Sequence, residues 1–337
     1  MEYQRLGTSG LQVSKIILGC MSYGSSKWAQ WVLDEAAALP LMKAAYDAGI
    51  NTWDTADMYS NGISEVLVRK AIEKYNIPRK RLVLMTKIYC AVHEHDISDR
   101  NWNDQGPDFV NQRGLSRKYI MEAVDASVAR LGTYIDVLQI HRFDKETPAE
   151  EIMEALHDVV KSGKVRYIGA SSMWAHEFAT LQFTATLHGW TKFISMQNFY
   201  NLAYREEERE MIPFCNKTGV GLIPWSPLAS GRLARPVNTN TARVEDSKKY
   251  FGERKDRESA IDDEVTNRVE KVAKDKGVPM AAVGIAWVLS KGCAPIVGLS
   301  NVKRIEEAVS ALKVKLTDEE IKFLEDAYEP KKIQGHF

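Results

Sequence analysis

The chain is poor in the features that would take it out of the ordinary soluble enzyme classes. Its 337 residues include only 4 cysteines, Cys20, Cys90, Cys215 and Cys293. They form neither a C-x-x-C pair nor a dense framework, so reduced thiols in a cytoplasmic setting are expected. An excess of one charge is also missing, since 45 basic residues balance 45 acidic ones. No long basic run occurs, which argues against nucleic acid or an anionic membrane as the main partner. No window offers ~20 uninterrupted apolar residues, and no membrane span is expected. The opening MEYQRLGTSGLQ has no apolar signal-peptide core. The G-x-G-x-x-G and G-x-x-x-x-G-K-[ST] phosphate motifs are absent after the first apolar run, and Gly219-Val220-Gly221 breaks the pattern at Pro224. No G-x-S-x-G nucleophile elbow is present. His93-Glu94-His95 lacks the H-E-x-x-H helix spacing and any nearby cysteine, so no metal is expected. The sequon Asn216-Lys217-Thr218 reads as a chance match in a cytoplasmic chain.

What is present is a rhythm. Tyr3–Leu6 and Leu11–Lys15 flank the turn Gly7-Thr8-Ser9-Gly10 and read as an N-terminal β-hairpin. Short apolar runs then alternate with helical patterns. The runs are Ile16–Gly19, Thr52–Asp54, Leu82–Lys87, Ile135–His141, Val165–Gly169, Phe193–Gln197, Gly221–Pro224 and Pro295–Gly298. They look like strands buried on both faces of a parallel sheet. Between them, Ile120, Val124, Val128 and Leu131 share one helical face, as do Ile152, Leu156, Val159 and Val160. Ser116 suits a helix N-cap, while Gly49, Gly132 and Gly163 suit helix ends. Eight such alternations predict an α/β protein, a (β/α)8 TIM barrel formed by one domain over residues 1–337. Two long connections, 88–114 and 226–260, follow strands and are expected on the C-terminal face, with 327–337 as a C-terminal tail.

Three polar residues end predicted strands: Asp54 the second, Lys87 the third and His141 the fourth. Tyr59 follows in the loop after Asp54. Singly, each has a structural explanation as a cap, a solvated cation, a packed ring or a core histidine. At one rim of a barrel they converge, and that convergence suits carbonyl reduction. A carbonyl that accepts hydride builds negative charge on oxygen and needs a proton. A free phenol with a pKa of ~10 holds its proton too tightly, and a neighbouring Lys⁺ lowers that value. Tyr59 is thus the expected general acid, Lys87 its perturbing cation and Asp54 the anchor of Lys87. His141 is placed to hydrogen-bond and orient the carbonyl oxygen.

These residues sit in longer stretches. They are Asn51-Thr52-Trp53-Asp54-Thr55-Ala56-Asp57-Met58-Tyr59, Thr86-Lys87, Leu138-Gln139-Ile140-His141 and Ile168-Gly169-Ala170-Ser171-Ser172. Met196-Gln197-Asn198, Pro224-Trp225-Ser226-Pro227-Leu228-Ala229-Ser230-Gly231 and Val297-Gly298-Leu299-Ser300-Asn301 follow in order. With them the chain resembles the aldo-keto reductases, in the branch of fungal aryl-alcohol-type reductases and potassium-channel β subunits. The resemblance implies an NADP(H) site. Ser171, Ser172 and Gln197 would hold the nicotinamide carboxamide, with Trp225 as the stacking platform unless its indole belongs to the core. Ser226, Leu228, Gly231 and Arg232 would run along the pyrophosphate. Ser300, Lys303, Arg304 and Glu307 would meet the adenosine end, where a cation would pair with a 2′-phosphate. Three departures stand out: Ser172 and Ala308 replace common asparagines, and Gly298 stands where some members place a phosphate-binding lysine.

For the substrate side, Trp28, Trp31, Trp102 and Phe109 either mark an aromatic rim, to which the tail His336-Phe337 adds, or pack against the barrel wall. Small aromatic or apolar aldehydes and ketones are the expected partners. The sequence carries no indication of an oligomer. Two rivals remain open at this level. Lys87 could form a Schiff base, as in aldolases, or the chain could be an NADPH-binding sensor with slow turnover.

Overall fold

The computed structural model describes residues 1–237, 239 and 257–336. The hairpin is formed by antiparallel strands β1 (Tyr3–Arg5) and β2 (Gln12–Ser14). Eight parallel strands follow: β3 (Ile17–Gly19), β4 (Thr52–Asp54), β5 (Val83–Ile88), β6 (Ile135–Ile140), β7 (Val165–Ser171), β8 (Phe193–Gln197), β9 (Gly221–Leu222) and β10 (Ile296–Gly298). Their spatial order is β10-β3-β4-β5-β6-β7-β8-β9, one curled sheet with helices between successive strands. Backbone hydrogen bonds from Ala294 to Leu222 (2.9 Å) and from Ile296 to Pro224 (2.9 Å) link the two ends of that order.

Side-chain alternation divides the sheet into two faces. Val83 and Met85 of β5, Val137 of β6 and Ile17 of β3 form an inner apolar cluster. Leu84, Ile88, Leu138 and Ile140 point the other way, into the larger core beneath the helices. The hairpin covers the N-terminal end of the inner cluster through Leu6 and Val13. Gly7 lets it dock closely: its φ is +60°, and a Cβ there would sit 2.3 Å from the Gly219 carbonyl oxygen. The opposite, C-terminal end is left for a site.

The helices follow the expected signals. The helix Arg117–Leu131 begins at Ser116, whose hydroxyl accepts from the Tyr119 amide, and ends at left-handed Gly132. Among the described residues no helix is long and apolar enough to cross a membrane. The connection 88–114 is mostly irregular, with one short helical turn at Pro107–Phe109. It is tied back by Gly114 N–H to Tyr89 O (2.7 Å) and by the Asn61 amide to the Asp96 (3.0 Å) and Asp99 (2.8 Å) carbonyls. His93 belongs to this tethering, contacting Asn101 O at 3.1 Å and Asp99 at 3.3 Å. The expected loop over 226–260 is shorter in structure. Ala229–Ala234 forms tight turns, and residues 257–260 open the helix Arg257–Lys276. Positions 238 and 240–256 of that connection, and Phe337, lie outside the described residues.

Candidate active site

Register brings the candidate residues together. Asp54 pairs with Met85, Lys87 with Gln139, Gln139 with Gly169, and Ser171 with Gln197. Lys87 is two residues beyond Met85 and Gln139 two beyond Val137, so both face inward with those apolar residues. Gly169 makes room for them, because a Cβ there would sit 3.1 Å from Cγ of Gln139.

The result is a hydrogen-bonded floor around Asp54 and Lys87. Lys87 Nζ donates to Asp54 Oδ1 (2.5 Å), to the Thr55 carbonyl (2.9 Å) and to Tyr59 Oη (3.2 Å). Asp54 Oδ2 accepts from Gln139 Nε2 (2.8 Å) and Gln197 Nε2 (2.9 Å). Burial works against the Lys87 charge, but Asp54 and Tyr59 outweigh it and raise its pKa. For Tyr59 the balance differs from the sequence expectation. Burial raises the phenol pKa, Lys87 pulls it down, Asp54 pushes it up, and the net shift is upward. A neutral phenol beside a charged lysine is the outcome. His141, edge-on to Tyr59 with ring centroids 5.9 Å apart, is held neutral. Burial, then Arg142 and Lys87, lower its pKa well below the ordinary value. Its Nδ1 is buried without a hydrogen-bond partner.

The turn bearing Tyr59 is itself anchored. Asp57 Oδ1 accepts from the Met58 amide (2.6 Å) and Oδ2 from the Tyr119 hydroxyl (3.2 Å). The single proton of that hydroxyl is shared with the Cys90 carbonyl, the nearer acceptor at 2.8 Å, in the 88–114 connection. Burial and the nearby Glu65 push the Asp57 carboxyl up to about 8. Glu65 is committed to Arg130 and Thr86, both at 2.6 Å.

A cavity of about 1410 Å³ opens above the floor. Asp54, Tyr59, His141, Ser171 and Gln197 line its base, and Trp225 lines its wall. Ser226, Leu228, Gly231 and Arg232 continue from Trp225, and Ser300, Lys303, Arg304 and Glu307 lie at the same cavity. Trp28, Trp31 and Trp102 line it too. Three candidates do not. Lys87 lies behind Tyr59 and Asp54. Phe109 packs on His93, with ring centroids 4.4 Å apart. The Ser172 hydroxyl accepts from the indole N–H of Trp225 (3.0 Å), so it steadies that ring. Phe199 stacks on Trp225 at 4.5 Å and 21°. Gly335 of the tail fits against it, with room for a Cβ only 3.3 Å from the ring.

The charges suit a phosphorylated nucleotide at one end. Ser226, Ala229, Ser230 and Gly231 all adopt positive φ, which turns the chain sharply along the wall. Arg235 and Arg304 line this end with no carboxylate partner among the described residues, and Arg304 donates to Ser300 Oγ. Burial, then Arg304, lower the Arg235 pKa, the signature of two cations facing one space. Arg232 is committed instead to Asp262 (2.9 Å) and Asp263 (2.7 Å), and Lys303 lies 3.9 Å from Glu307 with its side chain 83% exposed. Leu228 packs towards Gly284 of the helix Met280–Ser290.

Sequence reasoning passed over Gln139 and Arg235. Gln139 had a readable signal, since Val137, Gln139 and His141 alternate onto one strand face. Arg235 had none, because it sits in an aperiodic polar stretch.

Comparison with known proteins agrees with this geometry. Residues 15–329 match the Aldo/keto reductase family model. The chain is 58% identical over 340 residues to a versiconal hemiacetal acetate reductase of Aspergillus parasiticus, covering 99% of this chain and 98% of that protein. It is 54% identical to a putative aryl-alcohol dehydrogenase of Saccharomyces cerevisiae, over 97% of each chain. A putative aryl-alcohol dehydrogenase of Schizosaccharomyces pombe is also 54% identical, over 99% of this chain and 97% of its own. The chain belongs to the aldo/keto reductase family.

Proposed function

We propose that the protein is an NADP(H)-dependent carbonyl reductase that converts small aromatic or other apolar aldehydes and ketones to alcohols. The observation that carries this reading is the buried relay Asp54–Lys87–Tyr59, which ends at a cavity shared with His141 and Trp225. Relatives named as a hemiacetal acetate reductase and as aryl-alcohol dehydrogenases support it. So do Trp28, Trp31 and Trp102 along the cavity.

When bound, the cofactor supplies a hydride to the carbonyl carbon. The side chains handle the charge and the proton. Neutral His141 donates a hydrogen bond to the carbonyl oxygen and fixes its position. Tyr59 gives its proton to that oxygen as negative charge develops. The phenolate left behind faces Lys87 Nζ, whose charge Asp54 secures. Gln139 and Gln197 hold Asp54 in turn, so the relay needs no rearrangement during the reaction. Ser171 and Gln197 are the carboxamide contacts in this reading, and Trp225, steadied by Ser172 and Phe199, is the nicotinamide platform. Arg304 and Arg235 would take the 2′-phosphate, which favours NADPH over NADH.

The same reading closes the curled sheet into a (β/α)8 barrel within a single domain over 1–337, supported by the hydrogen bonds from Ala294 and Ile296 across its ends. Four buried, unpaired cysteines support a cytoplasmic location.

The test is a titration with NADPH and NADH, followed by an aldehyde panel on wild type and Tyr59→Phe. NADPH should bind more tightly. Tyr59→Phe should keep cofactor affinity and lose about 10²–10⁴-fold in kcat, the usual contribution of a general acid. Full activity in Tyr59→Phe would sink the acid assignment.

A further inference from the structure

We propose that Arg142 recognises substrate, and that the preferred substrates are aryl carbonyl compounds bearing a carboxylate. This rests on the carbonyl-reductase reading and specifies which carbonyl compounds fit. Arg142 immediately follows His141 and lines the cavity. Its Nη1 donates to the His141 carbonyl at 2.6 Å. That uses one of five guanidinium donors. No carboxylate pairs with Arg142 among the described residues.

Among the described residues, every acidic side chain on the cavity wall is occupied elsewhere. Asp54 holds Lys87, Asp262 and Asp263 hold Arg232, and Glu307 faces Lys303. The groups whose charge Arg142 feels are Cys90, Tyr59 and Tyr89. Burial holds all three neutral by raising their pKa values. His141 and His336, the other titratable neighbours, are kept from protonating, chiefly by burial and then by Arg142 itself. A guanidinium stays charged in a protein. Leaving it half-buried without a counter-ion is unfavourable unless an anion arrives to complete it.

Position decides which anion. Arg142 follows β6, whereas the proposed phosphate contacts follow β9 and β10, on the far side of the strand order. Its neighbours are the proton donor Tyr59 and the carbonyl-orienting His141. The guanidinium is therefore on the substrate side, in the same cavity as the aromatic rings of Tyr89, Trp28 and Trp102. A planar fork of donors matches a carboxylate in two-point contact.

The experiment compares carboxybenzaldehydes with their methyl esters, which have the same ring and carbonyl without the charge. Each is assayed with NADPH on wild type, Arg142→Gln and Arg142→Lys. Wild type should favour an acid over its ester by about tenfold or more in kcat/KM, the worth of one or two charged hydrogen bonds. The ratio should fall toward unity in Arg142→Gln and lie between in Arg142→Lys, which keeps the charge but not the fork. Benzoate and benzamide binding to the NADP⁺ complex reads the same contact without turnover, and benzoate should lose about tenfold or more in Arg142→Gln. Equal use of acid and ester by wild type, or a preference that survives Arg142→Gln, overturns the proposal. So does a loss of NADPH affinity in Arg142→Gln as large as the loss for benzoate. Protein that reduces esters yet ignores acids fails this inference alone. Protein that binds benzoate through Arg142 yet reduces nothing fails the reductase reading alone.

Discussion

The two ends of the cavity are built on opposite principles. At the floor, Asp54, Lys87, Gln139 and Gln197 come from four strands and satisfy one another. At the end proposed to take the nucleotide, Arg235 and Arg304 stand on connections after β9 and β10 and face each other without a carboxylate among the described residues. The floor is complete before any ligand arrives, because a proton relay must not reorganise during the reaction. In the proposed reading the other end is left incomplete, and a ligand's phosphate would supply the missing charge. A site can thus hold a wired half and a waiting half, and the difference can be read from where the counter-ions are.

The sharpest way to break this contrast is to remove the buried cation. Lys87→Met should abolish measurable turnover and destabilise the fold by about 3–5 kcal/mol, since Asp54 would remain as an unpaired buried charge. Chemical denaturation together with an activity assay checks both. A variant as stable as wild type would show that the floor is not held by this pair. Removing one waiting cation should act differently. Arg235→Ala should leave stability unchanged or slightly improved, because it relieves repulsion from Arg304. It should weaken NADPH by about tenfold and NADH far less, by loss of one charge-assisted contact. Fluorescence titration at two salt concentrations measures this, and an equal loss for both cofactors would remove the 2′-phosphate assignment.

A third test concerns pH. Asp57 is raised to about 8 in the folded chain, far above an ordinary aspartate. Between about 4 and 8 the folded state therefore holds a proton that the unfolded state has released. Stability from this group is fully present below the unfolded value and is lost as pH rises through that window. Glu207, raised by burial and by Glu206 to about 8, has the same sign. Asp57→Asn should flatten the decline in denaturation midpoint between pH 5 and 8 by a detectable fraction, of the order set by proton linkage. An unchanged slope would mean that Asp57 ionises normally. The turn carrying Tyr59 would then rest on an anion.

Much of this was legible in advance, for definite reasons. Strand β4 was readable to the residue, because Thr52–Asp54 is a short run whose last residue, Asp54, ends the strand where the chain turns into the loop bearing Tyr59. Ser116 and Gly132 marked a helix correctly because capping depends on local backbone chemistry. The placement of Phe109 was not legible. An aromatic in an irregular loop can face a cavity or a neighbour, and His93 decided it. Arg232 illustrates the same limit. Its segment was recognisable, but its guanidinium was taken up by Asp262 and Asp263 from a helix about thirty residues away.

The sequence alone determined the alternation of strands and helices, and with it the rim on which Asp54, Tyr59, Lys87 and His141 would appear. Periodicity and capping are written within a few residues of where they act. Only the tertiary structure decided which charges are matched and which are left open, including the direction of the Tyr59 shift and the lack, among the described residues, of a carboxylate partner for Arg142. Those outcomes depend on desolvation and on distances between groups brought together from distant parts of the chain, which no local pattern encodes.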